Sequence, residues 1–186
     1  MSWDMKDRQE PWGQAKVHEF NKDLLYSLEP EESKYLDSVY KQIFPELTDI
    51  EFIETRGGQR KGIDKRLYFE NGAIITFEEK KRRVDYGDIL LEIWSVWEKR
   101  ILGWLYTSHA DYISYFIPST QKLYILPLLL IRKAWTQNQE QWTDQYRELQ
   151  AKNKGYTTIS RAIPINVLLS AMQREMDIKL PIRSQI

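Results

Sequence analysis

Apolar residues recur along this chain in two rhythms, and the rhythms predict its elements. Between Pro30 and Pro45, Leu36, Val39, Tyr40 and Ile43 repeat at helical spacing behind Glu31-Glu32, an acidic opening that suits a first turn. Pro45 ends that helix. Residues 49–55 carry Ile50, Phe52 and Ile53 and predict a strand. Two further apolar runs, Leu67-Tyr68-Phe69 and Ile74-Ile75 with Phe77, flank Asn71-Gly72. Asn-Gly suits a two-residue turn with positive φ at both positions, so the prediction is a hairpin with strands at 63–70 and 73–82. With Glu70 opposite Ala73, Asp64 falls opposite Glu79, and Asp64, Glu78, Glu79 and Lys80 meet at the open end.

Residues 88–97, DILLEIWSVW, are rich in β-branched and aromatic side chains and predict a buried strand. Glu92 is the one charge inside its apolar stretch. A buried carboxylate needs a partner, so Glu92 is either an accessory acid of a site or the structural partner of an arginine. A turn region around Gly103 follows, then strands at 111–118 and 121–126 about Ser119-Thr120. In the first of these, Tyr112, Ser114 and Phe116 alternate with Ile113, Tyr115 and Ile117. Pro127 fits a first helical position and opens a helix through Trp135, continued with heavy charge over 142–149 and ended by Asn153-Lys154-Gly155. Residues 156–163 predict a short strand, and Pro164 leads a helix with Val167, Leu168, Ala171 and Met172 on one face. Residues 1–29 show no period and predict an irregular arm docked through its tryptophans. The expectation is a single domain over 1–186: the arm 1–29, a core 30–135, and C-terminal helices with a short strand over 136–186.

Three carboxylates and a lysine at one hairpin end predict a divalent-metal site, and hard oxygen ligands suit Mg²⁺. Two basic segments converge there. Arg56-Gly57-Gly58-Gln59-Arg60-Lys61-Gly62 feeds into Asp64, and Lys80-Lys81-Arg82-Arg83 follows the second strand. Cations to hold phosphates would then lie beside carboxylates to hold a metal. Two solvated charge runs are the plainer reading of the same residues.

Gly62-Ile63-Asp64, followed after thirteen intervening residues by Glu78-x-Lys80, resembles the PD-(D/E)XK nuclease superfamily. Ile63 stands where the family name has proline, Gln59 lies three residues before Gly62, and the likeness runs over roughly 31–130. Arg82, then DYGDILLEIWS and the later GW, look like a phage-encoded or mobile-element branch. The resemblance implies an α/β (α+β) fold, with a mixed and mainly antiparallel central sheet flanked by helices. It implies Mg²⁺- or Mn²⁺-dependent hydrolysis of DNA by an endo- or exodeoxyribonuclease. Asp64, Glu78 and Lys80 would be catalytic. Asp64 and Glu78 would hold the metal, with the Glu79 backbone carbonyl as a further ligand, and Lys80 would position or activate the water. Gln59, Arg60, Lys61, Lys81 and Arg82 would contact nucleic acid. Glu92 is an accessory candidate, as is Glu32, since such folds often bring an acid from the first helix to the metal. Glu32 also reads as a helix N-terminal charge facing water. Nucleases of this kind often act as dimers, so a homodimer is allowed.

The register raises one conflict. In an unbroken two-residue hairpin Asp64 shares its face with Glu79 and Lys81, which are themselves an E-x-K. A bulge or a longer turn would restore Glu78 and Lys80, the pair the resemblance favours.

Composition narrows the alternatives. Lys+Arg and Asp+Glu are 27 each, so any DNA contact must come from local patches. The absence of cysteine removes thiolate metal sites and thiol nucleophiles, and fits a cytoplasmic setting. Two histidines make histidine-metal or Ser-His-Asp chemistry a poor fit. The start of the chain is polar, without a signal pattern, and the longest apolar run, Leu123–Ile131, is too short to span a bilayer, so no membrane is expected. A catalytically silent nucleic-acid- or protein-binding module on the same fold is the alternative reading. A sugar-acting enzyme would use the acids but leave the lysine and the basic segments unexplained.

Overall fold

A computed structural model of the chain describes residues 30–53 and 61–177. The expected N-terminal arm, and Gln59 and Arg60, lie outside the described residues. In order, the elements are α1 (Pro30–Ile43), β1 (Leu47–Phe52), β2 (Lys65–Phe69), β3 (Ile74–Lys81), β4 (Asp88–Val96), β5 (Ile101–Leu102), α2 (Trp104–Thr107), β6 (Tyr112–Ile117), β7 (Lys122–Pro127), α3 (Leu128–Gln145), β8 (Glu148–Asn153), β9 (Tyr156–Pro164) and α4 (Ile165–Glu175). The fold is α+β. A five-stranded sheet runs β1-β2-β3-β6-β7, antiparallel throughout except for the parallel pair β3–β6.

Helix α1 covers one face of this sheet. Leu36 and Tyr40 are fully buried against Leu67, Phe77 and Phe116. Ile43, expected on the same face, is exposed, because the buried stripe advances by four residues from Leu36 to Tyr40 to Phe44. Phe44 meets Phe69 and Phe77 edge-on. The alternation along β6 divides as its pattern predicts. Phe116 faces α1, while Ile113, Tyr115 and Ile117 enter the main core with α3 and α4.

The β2–β3 hairpin forms, but its turn differs from the two-residue prediction. Tyr68 pairs with Ile74 and Lys65 with Phe77. The Phe69 N–H donates to the Ala73 carbonyl (3.0 Å) and the Gly72 N–H returns to the Phe69 carbonyl (2.9 Å). The loop is thus three residues, Glu70-Asn71-Gly72, with positive φ (79°) at Gly72. Asn71 stays at negative φ and its Oδ1 accepts the Ala73 N–H (2.9 Å). A three-residue loop needs one left-handed position, and glycine takes it without a Cβ penalty. The extra loop residue moves the register by one, which exchanges the faces.

The chain also builds a second sheet, where a single central one was expected. It is antiparallel, in the order β5-β4-β9-β8. Residues 148–149, read from sequence as helix, begin strand β8. Leu149 and Ala151 are buried while Glu148, Gln150 and Lys152 are exposed, a period of two imposed by pairing with β9. Among the described residues no helix is long and apolar enough to cross a membrane.

Candidate active site

Strand β3 carries both E-x-K motifs, and adjacent residues on a strand face opposite ways. Glu79 and Lys81 face α1. The Tyr40 hydroxyl donates to Glu79 Oε1 (2.9 Å) and to Ser114 Oγ (2.6 Å). The Lys65 ammonium reaches Glu79 Oε1 (3.2 Å), Asp37 Oδ1 (2.5 Å) and the Ser33 carbonyl (3.2 Å). Lys81 pairs with Glu32. The Lys65 side chain is 1% exposed and that of Glu79 3%, so the centre of this network is buried, while Asp37 at its edge keeps 35% exposure. Burial raises the Glu79 carboxyl above its ordinary pKa despite the Lys65 charge, and burial beside Glu79 drives the Tyr40 phenol strongly upward.

Glu78 and Lys80 face the other way. Lys80 Nζ lies 2.5 Å from Glu78 Oε1, and the lysine side chain keeps 30% exposure, so this face opens to solvent. Asp64 is set between the two faces by the backbone: its N–H donates to the Phe77 carbonyl and its Oδ2 accepts the Glu79 N–H (2.7 Å). Glu78, Asp64 and Glu92 all act electrostatically on Lys80. Burial alone would depress the Lys80 pKa, but these carboxylates outweigh it and hold the ammonium above its ordinary value. Glu92 is pushed upward by burial, opposed by Lys80 and by the Trp104 N–H that its carboxylate accepts. Of the two roles open to Glu92, its neighbour is thus the lysine of the hairpin.

Gly62 explains the first motif residue. Its φ is +60°, and a Cβ there would meet Glu78 Oε2 at 3.0 Å and the Ser108 Cα at 3.2 Å. The loop is pinned by Ser108, whose Oγ donates to the Gly62 carbonyl (3.1 Å), and by the His109 N–H on the Lys61 carbonyl (2.7 Å). Ile63 packs with Ile53 and Ala110. Beside Glu78 stands Arg132 of α3, whose guanidinium donates to the Leu105 and Ser108 carbonyls (both 2.6 Å). Arg132 was not foreseen. Its one sequence signal is that it is the first charge after the apolar opening of α3.

Several expected roles change place. Glu32 does not join Asp64; partly exposed at the start of α1, it neutralises Lys81. Lys81 (5% exposed) and Arg82 (2%) are buried, with Arg82 on Asp88, so they offer no cationic surface for phosphates. The expected basic strip fails because β3 alternates these residues into two packed faces. Lys61 is exposed.

Among the described residues no three His, Cys, Asp or Glu side chains are grouped to hold a metal ion. The donors around Lys80 are hard oxygens. One of them, Glu78 Oε2, is buried with no hydrogen-bond partner among the described residues. A buried carboxylate oxygen left unpaired is costly. Mg²⁺ characteristically takes one or two carboxylates together with waters and substrate phosphates, so Asp64 and Glu78 fit such an ion.

No family model, curated protein or solved structure matches this chain.

Proposed function

We propose that this chain is a metal-dependent nuclease of the PD-(D/E)XK type, hydrolysing phosphodiester bonds of DNA. The observation that carries the reading is the company that Asp64 and Glu78 keep around the part-exposed Lys80, with the buried Glu78 Oε2 unpartnered among the described residues. In the reaction, water adds to phosphorus, the bond to one sugar oxygen breaks, and that oxygen leaves as a hydroxyl after taking a proton. Asp64 and Glu78 would hold Mg²⁺ or Mn²⁺, which when bound there acts as a Lewis acid on the phosphate and lowers the pKa of its water. Lys80 supplies a fixed positive charge for the phosphate oxygens, where charge develops in the transition state. Glu92, which also acts on Lys80, would help to neutralise and orient that ammonium. Arg132, anchored by two carbonyls, adds a second cation beside Glu78.

The test is nicking of supercoiled plasmid DNA with Mg²⁺ or Mn²⁺. Wild-type protein should nick, and Asp64→Asn should lose activity and metal affinity while keeping its fold, since an asparagine oxygen still accepts the Glu79 N–H. Equal metal affinity in the two proteins by calorimetry would remove Asp64 from the site. A folded wild type that binds DNA and never cuts it would return the chain to the silent binding-module reading.

A further inference from the structure

A cleft of about 340 Å³ lies between the second sheet and α3. Trp94 of β4, Trp97 just after it and Trp135 of α3 line it. Its origin is a β-bulge. Glu92 pairs with Ser160, but Trp94 pairs with Ile159, so Ile93 is an extra residue on β4. Directly paired antiparallel residues share a face. The bulge therefore sends Glu92 and Trp94, two residues apart, to opposite faces: Glu92 toward Lys80, Trp94 into the cleft with Ile159 and Arg161.

The lining combines ring faces with charged and amide groups. Trp97 is 37% exposed at the rim, and the Arg100 guanidinium sits 3.6 Å from its ring centroid. Arg100 adopts a left-handed backbone (φ 55°), a conformation uncommon outside glycine. Gln139 from α3 and Gln150 from β8 stand among the lining residues. Arg161 donates to the Tyr146 carbonyl (2.8 Å) and to Glu148 (3.2 Å), yet its buried Nε has no partner among the described residues. Helix α3 carries both Arg132 and the cleft residue Trp135. The carbonyls of Leu105 and Ser108 hold Arg132 beside Glu78, while the Trp135 Nε1–H, three residues further along α3, donates to the Tyr106 hydroxyl (2.7 Å). Less than one helical turn, roughly 5 Å of rise, separates them.

We propose that this cleft holds an unstacked base of a single-stranded or frayed DNA strand; the substrate class rests on the nuclease reading above. Indole faces accept the π-face of any base, and an arginine beside them meets the phosphate that follows. Side-chain amides and a guanidinium bond to base edges. A volume of this size takes one base with its sugar, whereas the stacked bases of a duplex have no free face to offer.

The experiment needs neither metal nor turnover. Fluorescence anisotropy in EDTA compares a fluorescein-labelled dT 12-mer with a 12-bp duplex, for wild type and Trp97→Ala. Trp97 lies outside the buried core, so the variant should fold, as circular dichroism would verify. Single-strand affinity should fall by roughly 5- to 150-fold, with duplex affinity unchanged. An unchanged single-strand affinity, an equal loss for the duplex, or binding of maltohexaose but not the oligonucleotide would overturn the inference. If Trp97→Ala misfolds, Gln150→Ala at the exposed wall should alter the ratio of dA 12-mer to dT 12-mer affinity, and an unaltered ratio overturns it. The two readings fail separately. Loss of single-strand binding in a protein that hydrolyses nothing keeps the cleft and removes the nuclease. Plasmid nicking by a protein whose single-strand affinity ignores Trp97→Ala keeps the nuclease and removes the cleft.

Discussion

The two faces of β3 carry the same letters, Glu-x-Lys, and differ in every physical respect. On the α1 face Glu79 and Lys81 are sealed among Tyr40, Lys65, Asp37 and Glu32, with each charge matched to a partner. On the opposite face a part-exposed Lys80 stands beside a buried Glu78, with carboxylates in excess and one buried oxygen unpaired among the described residues. Charges matched and buried make a scaffold, because removing one partner strands the other. Charges mismatched and reachable leave affinity for a cation or an anion from outside. The Glu79 N–H, donated to Asp64, ties the two faces together: the sealed side holds the strand whose backbone orients the open side.

The largest effect should come from the sealed side. Lys65→Ala leaves Glu79 and Asp37 without their ammonium and should cost about 3–5 kcal/mol of stability, read by urea unfolding. A loss below 1 kcal/mol would mean that the network is solvated and the two faces are not different in kind.

On the open side Lys80→Ala should reduce plasmid nicking by roughly a hundredfold to a thousandfold, the scale of removing one transition-state donor. DNA affinity should change little, and because the buried Glu78 loses its ammonium about 1–3 kcal/mol of stability should go with it, so activity is read per folded molecule. Full activity in this variant would transfer the reading to Glu79 and Lys81.

Gly62→Ala sharpens the contrast from the backbone. The φ of +60° and the 3.0 Å approach to Glu78 Oε2 should together cost about 1–2 kcal/mol and displace the Glu78 carboxylate. Nicking should fall by more than the loss of folded protein accounts for. Stability and specific activity equal to wild type would show that the loop does not press on Glu78.

The smallest effect is expected for Lys81→Ala. Its partner Glu32 is itself partly exposed, so about 1 kcal/mol of stability should be lost, with turnover per folded molecule intact. A collapse of turnover would place Lys81 in the chemistry.

Much of this was legible in the chain. The α1 pattern, the hairpin about Asn71-Gly72, the strand with a lone Glu92, the alternation along β6 and a helix after Pro127 all rest on local rules of period and turn chemistry, and each of these elements is present, with Pro127 itself closing β7 and the helix beginning at Leu128. Asp64, Glu78 and Lys80 stood out as one cluster because a hairpin brings near in space what is near in sequence. What local rules left open was the count of residues in a turn. Asn-Gly serves a two-residue loop and a three-residue loop alike, and the structure takes the second, with Phe77 and Lys65 packed against α1. That one residue decides which glutamate and lysine are buried. The second sheet was hidden for the same kind of reason. Residues 148–153 are mostly polar, and their period of two exists only because β9 lies alongside. Arg132 beside Glu78, and Trp94 turned by a bulge away from Glu92, join residues distant in sequence or reverse the local alternation. Sequence determines such positions only through the whole packed chain, because a side chain's neighbours across a sheet are set by register, and register is set by burial.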